Sequence, residues 1–163
     1  MPKKLMPVEQ VLKILSSTPP RIAELTAGLS EQQLHASPDI GGWSANEVLA
    51  HLRSCADVRG GCALKIFAED TPTLRAVDPR TWMKETDYLE LEFRRSLRAF
   101  TAQRGDLLAA LEPLGPGDWS RRAIVTGAGK VLERTVLFYA DWVARHERPH
   151  LKQMHRIVDA MQS

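Results

Sequence analysis

His146 and His150 stand four residues apart, the spacing that stacks two side chains on one helical face and lets both imidazoles reach one metal ion. Two histidines make an incomplete site. The natural third ligand is His51, one turn after Glu47 and beside an apolar stripe of Val48 and Leu52. Three neutral imidazoles with an open position for water or a substrate suit zinc, nickel or another borderline divalent ion. Each residue also has a plainer reading: His51 as a core or hydrogen-bonding histidine, and the His146/His150 pair as surface residues. Pro149 lies between the pair and has no N–H for the carbonyl of Arg145, so a kink or a fresh helix start is expected there. His155 lies nine positions beyond His146, about 180° away on a continuous helix, and His35 precedes the segment that carries His51. Neither belongs to the expected ligand set.

Other chemistry-bearing residues read more modestly, and no catalytic residue is assigned. Glu47 is a metal ligand, a general base or a capping residue, and the Ser44–Glu47 spacing already accounts for the last. Glu147 follows His146 but points about 100° away on a helix, toward solvent. Asp57 lies about 120° around from His51 and reads as a supporting or surface residue. Cys55 and Cys62, seven apart on one helical segment, are about 10 Å apart at helical rise, too far for a disulfide, and read as reduced core filler. Gly127-Ala128-Gly129-Lys130-Val131 lacks the leading glycine and the Ser or Thr of a phosphate loop, so no nucleotide cofactor is expected. Arg94, Arg95, Arg98 and Arg104 are interspersed with other residue types and read as a solvated helix face.

The elements that must position the histidines are helical. Pro7 to about Leu29 has apolar residues at helical spacing, with Pro19-Pro20 expected to kink or restart the helix. Ser30 with Gln33 can cap a short turn. Ser44 with Glu47 opens the next long helix as a capping box, with Trp43 and Val48 placed as a hydrophobic staple. That helix runs to about Ala68, and Gly60-Gly61 inside it suggests a bend or close helix contact. Glu69 to Glu85 reads as a long surface connection. A third helix is expected from about Thr86 to Leu111, and a fourth from about Lys130; Ile124-Val125 is a brief extended piece or irregular. The expected architecture is an all-α four-helix bundle with a long connection between its second and third helices.

Composition bounds the function classes. With 163 residues and 44% apolar, the chain suits one domain, residues 1–163. A net charge of +2 from 22 basic and 20 acidic residues argues against a strongly basic nucleic-acid-binding domain. There is no apolar run long enough to span a bilayer and no signal-peptide pattern, so a cytoplasmic location and no membrane partner are expected.

The stretch from Trp43 through Ser44, Glu47 and Val48 to His51 and Leu52, together with His146-Glu147-Arg148-Pro149-His150, resembles the DinB/YfiT-like superfamily of bacterial helical-bundle proteins. Trp82-Met83 and the surroundings of Phe100, Arg104 and Trp119 extend the resemblance over about residues 8 to 162. It implies a metal held by His51, His146 and His150, and a homodimer. It further implies a thiol-dependent S-transferase, in which a low-molecular-weight thiol, held on the metal as thiolate, attacks a small electrophilic substrate. The alternatives are a metal-dependent hydrolase, or a non-enzymatic stress-response or interaction protein with a structural or empty metal site.

Overall fold

The computed structural model describes residues 4–162. Helix α1 (Val8–Thr26) is followed by α2 (Glu31–His35), then α3 (Ala45–Cys55), a π-helical turn (Ala56–Gly60) and α4 (Gly61–Ala68) in unbroken succession. The connection that follows carries strand β1 (Thr73–Arg75) and α5 (Pro79–Lys84). Helix α6 (Phe93–Leu111), α7 (Pro116–Trp119), the hairpin β2 (Arg122–Thr126) and β3 (Leu132–Thr135), and α8 (Val136–Gln162) complete the chain. Helices α1 and α3 each pack against both α6 and α8, which closes a four-cornered bundle.

Both capping boxes form. Ser30 and Gln33 cap α2, while Ser44 Oγ accepts from the Glu47 N–H at 3.1 Å and Glu47 Oε1 accepts from the Ser44 N–H at 3.1 Å. The helix that carries His51 therefore starts at a position its own sequence specifies.

Several elements differ from the sequence reading. Helix α1 runs straight on in its secondary structure through Pro19-Pro20 instead of restarting. Pro19 cannot donate to the carbonyl of Leu15, and the guanidinium of Arg104 does so instead, at 2.9 Å. The third long helix begins at Phe93 and not at Thr86, because residues 86–92 turn to bring the Tyr88 hydroxyl onto Asp57. Lys130, read as the start of the fourth helix, lies in the turn before strand β3, and α8 begins at Val136. The extended alternative for Ile124-Val125 is strand β2, whose burial alternates, whereas β1 and β3, of 3 and 4 residues, are too short to carry a period-two signal. The sheet order is β1-β2-β3, with β1 parallel and β3 antiparallel to β2. Gly127 and Gly129, at φ of 84° and 92°, make the β2–β3 turn, which explains a glycine pair that is not a phosphate loop. Helix α8 continues through Pro149 without a fresh start.

The interior also holds charge. Arg104 is 2% exposed and Glu147 is 1% exposed, although both read as solvated in the sequence. They form a bidentate ion pair between α6 and α8, with one contact at 2.9 Å, while Arg104 also lies 4.9 Å from the Phe100 ring. Arg94 is half-buried and donates to the hydroxyl of Thr26 at the end of α1. The core has two clusters, one with Val11, Leu15, Leu107 and Val143, the other with Ile22, Leu49, Phe100 and Met154. On α6 and α8 the ion pair falls between residues of the two, and on α1 it meets the carbonyl of Leu15.

Removing one partner of a buried pair leaves an uncompensated charge, which costs about 3–5 kcal/mol. Glu147→Leu should lower unfolding stability by that amount in urea denaturation. Arg104→Met combined with Glu147→Leu should recover part of the loss, leaving the carbonyl of Leu15 unsatisfied at about 1–3 kcal/mol. A double variant no more stable than Glu147→Leu would contradict the buried-charge account.

Candidate metal centre

Helices α3 and α8 face each other, and His51 from the first meets His146 and His150 from the second. The three imidazole centroids are 4.8 Å (His51–His146), 4.8 Å (His51–His150) and 4.5 Å (His146–His150) apart. His51 Nε2 and His146 Nε2 approach to 3.0 Å. His150 Nδ1 lies 2.8 Å from Gln153 Oε1, one turn further along α8, a contact that leaves Nε2 as the ring nitrogen open to a metal. The three rings thus lie side by side, although the donor atoms that fall within 4.8 Å of one another are those of His51, Cys55 and His146, with His150 outside that group. Pro149, between His146 and His150, does not prevent this, because α8 stays helical there.

Two tryptophans border the cluster. The indole of Trp142, one turn before His146 on α8, stacks on that imidazole at 4.8 Å with planes 10° apart. Trp43, just before the α3 cap, lies edge-on to His51 at 5.3 Å and parallel to His150 at 6.2 Å.

The sequence reading missed one member. Cys55 Sγ is 3.7 Å from both His51 Nε2 and His146 Nε2, and Cys55 is 2% exposed. Its signal was its position, four residues after His51 on the same helical face. Among the described residues, His51, Cys55 and His146 form a group whose donor atoms lie within 4.8 Å of one another. Burial pushes the Cys55 thiol up to about 12, so it stays protonated while no cation adjoins it.

Other candidates lie elsewhere. Glu47 is occupied by its capping box. Glu147 faces Arg104. Asp57, on the π-helical turn, accepts from Trp82 Nε1 at 3.0 Å, from the Tyr88 hydroxyl and from Gln103, which ties the long connection and α6 to the helix that bears His51. His35 pairs with Glu31 and His155 with Asp159. Cys62 is a free, half-buried thiol packed on the core.

The donor set fits a divalent ion. Desolvation by burial lowers the His146 pKa to about 3, with the charges of His150, His51 and Arg59 acting in the same direction. The same causes, burial first and then His150 and Arg80, lower His51. Both rings are therefore neutral at neutral pH, the state a metal requires. Nitrogens bound at about 2.0–2.1 Å to a tetrahedral ion stand about 3.3 Å apart, close to the observed His51–His146 approach. His146 also lines an open cavity of about 690 Å³ with Trp142, Phe138, Arg134, Asp141 and Arg145.

A four-helix bundle whose facing helices present an imidazole cluster inward is a metal-binding class of protein. The chain belongs to the DinB superfamily, whose sequence model matches residues 14–154. A Bacillus licheniformis relative, named "Putative metal-dependent hydrolase", is 26% identical over 148 residues, covering 89% of this chain and 83% of that protein. A relative of the same description from Halalkalibacterium halodurans is 24% identical over 148 residues, covering 90% and 85%. The uncharacterized protein YuaE of Bacillus subtilis is 28% identical over 148 residues, covering 83% and 89%. Among solved structures, YfiT of Bacillus subtilis superposes with a TM-score of 0.80 at 18% identity, over 99% of this chain and 93% of that one. Its structure is described as an unusual four-helix bundle topology, and that fold is the one seen here. Among the described residues, no helix is long and apolar enough to cross a membrane.

Protonation gives a test of the buried imidazoles. Unfolded chain takes up protons on His146 as pH falls below about 6.5, while the folded chain resists until about 3, so the folded state loses stability as pH drops through that window. In chelator-treated protein, urea midpoints between about pH 7 and pH 4 should fall with pH, and His146→Gln should flatten that slope. Equal slopes would show that His146 titrates as an exposed imidazole does.

Proposed function

We propose that His51, His146 and His150 hold one divalent ion, zinc or nickel, and that the protein is a metal-dependent hydrolase. The observation that carries this reading is the closure of three imidazole rings to 4.5–4.8 Å beside a cavity large enough for a small substrate. The names borne by the Bacillus licheniformis and Halalkalibacterium halodurans relatives support it. An ion held there supplies Lewis-acid polarisation and lowers the pKa of a bound water or thiol.

The chain's own residues do the rest. The three imidazoles fix the position of the reacting centre, and Gln153 holds the His150 ring in its donor orientation. Cys55 packs its thiol against His51 and His146 at 3.7 Å and, without a metal, is held neutral by burial. Trp142 and Phe138 supply an apolar wall for the organic part of a substrate and limit the water beside it.

Transfer to a low-molecular-weight thiol is a second reading, favoured by one observation: the cavity of about 690 Å³ has room for two reactants side by side. The readings separate on one assay. Metal-loaded, untagged protein should hydrolyse p-nitrophenyl acetate without added thiol, and the rate should fall to the metal-free level in His51→Ala and after chelation. A reaction that appears only with added thiol assigns the protein to S-transfer instead. No reaction of either kind in fully metallated protein favours a structural metal in a non-enzymatic protein.

A further inference from the structure

Arg59 stands on the π-helical turn, one element beyond His51 and Cys55, with its guanidinium carbon 4.9 Å from the Trp142 ring. Its Nε is buried and has no hydrogen-bond partner, and among the described residues no carboxylate pairs with it. A buried guanidinium N–H without a partner is expensive to keep, so its persistence calls for an acceptor. Arg134 on β3 is arranged similarly: its guanidinium carbon lies 4.4 Å from the Phe138 ring. Its hydrogen bond is a contact of 3.3 Å to the adjacent Glu133 carbonyl, and it has no ion pair among the described residues.

The two arginines line one cavity of about 220 Å³, together with Trp142, Phe138 and Tyr139. Nearby carboxylates are committed elsewhere. Glu133 faces Arg122 at 3.7 Å, and Asp141 pairs with Arg145 at 2.8 Å while accepting from the Met6 N–H at 2.8 Å. Asp78, engaged by Arg80, feels the Arg59 charge without a hydrogen bond or ion pair to it, so Arg59 and Arg134 present guanidinium donors over an aromatic floor with no carboxylate paired to either among the described residues. That floor leads to the histidines, because Arg134, Phe138 and Trp142 also border the larger cavity in which His146 lies. Trp142 stacks directly on His146. A guanidinium offers paired N–H donors whose spacing matches a carboxylate, and the aromatic rings suit an apolar or aromatic body behind it.

We propose that Arg59 and Arg134 form a carboxylate-binding subsite, and that the substrate is a small organic acid whose carboxylate they anchor over Trp142 while its remainder reaches the imidazole cluster. The anion contact stands on the arginines alone. The placement of the reacting end rests on the metal-site reading.

Benzoate is the probe, with benzamide as its uncharged counterpart, titrated into ¹⁵N-labelled protein while the arginine Nε–H resonances are followed. Benzoate should shift the Arg59 and Arg134 resonances saturably, and benzamide should not. Arg59→Gln and Arg134→Gln should each raise the benzoate Kd about tenfold or more, the size expected for a lost charge-assisted hydrogen bond. Arg59→Lys should retain more affinity than Arg59→Gln, and exposed Arg98→Gln, on the far helix, should bind as wild type does. Arg59→Gln should remain folded, with a cooperative urea transition, so that its loss of benzoate affinity is not a loss of fold. His51→Ala should still bind benzoate, so a failed metal site and a failed arginine site give different results. An equal response to benzamide, or unchanged affinity in both glutamine variants, overturns the proposal.

Discussion

Arg104 carries its guanidinium into the interior of the bundle, where it meets Glu147 and the carbonyl that Pro19 leaves without a donor. One side chain thereby joins α1, α6 and α8 at the level where the two core clusters meet. The consequence for the metal centre is rotational. Glu147 must point at Arg104, and His146 and His150, one residue before and three after, then fall about 100° and 60° to one side of it. That side faces α3 and His51. A buried ion pair adds little net stability compared with an apolar pair, but it tolerates few alternative rotations of α8, so its contribution here is to register.

The helix opposite is set by different means. The capping box at Ser44 and Glu47 fixes where α3 starts, and His51 and Cys55 follow on one face, with the π-helical turn immediately beyond. An added residue in that turn re-aims what comes next, so Asp57 reaches the long connection and Arg59 reaches Trp142. Asp57, gathering Trp82, Tyr88 and Gln103, anchors a connection that has no large core of its own. Arg80 on α5 thereby comes near enough to the cluster for its charge to lower His51.

Much of this was legible from residue types and spacing. The His146/His150 interval, the Ser44–Glu47 cap and the apolar stripes of four long helices all report local geometry, and local geometry survives folding. Glu147 and Arg104 were misread because helix periodicity assigns a direction relative to neighbours on the same helix. It says nothing about a complementary charge on another helix. Cys55 was hidden for a similar reason: a small apolar residue on an apolar face has an adequate explanation before its partners are known. Of the three short strands only β2 left a trace, at Ile124-Val125; β1 and β3 are too short for a period-two signal, and their pairing with β2 reveals them.

In the proposed centre three histidines from two facing helices hold one ion, with Cys55 beside them and not among the essential ligands. Metal analysis of protein purified without an affinity tag tests it most directly, comparing wild type with His51→Ala, His150→Ala and Cys55→Ser. Close to one equivalent of zinc or nickel is expected in wild type and Cys55→Ser, with loss of that metal in both histidine variants. Full occupancy in His150→Ala with loss in Cys55→Ser would replace the three-histidine set with the His51, Cys55 and His146 group. No metal in wild type after reconstitution with zinc, nickel and manganese would contradict a metal centre altogether.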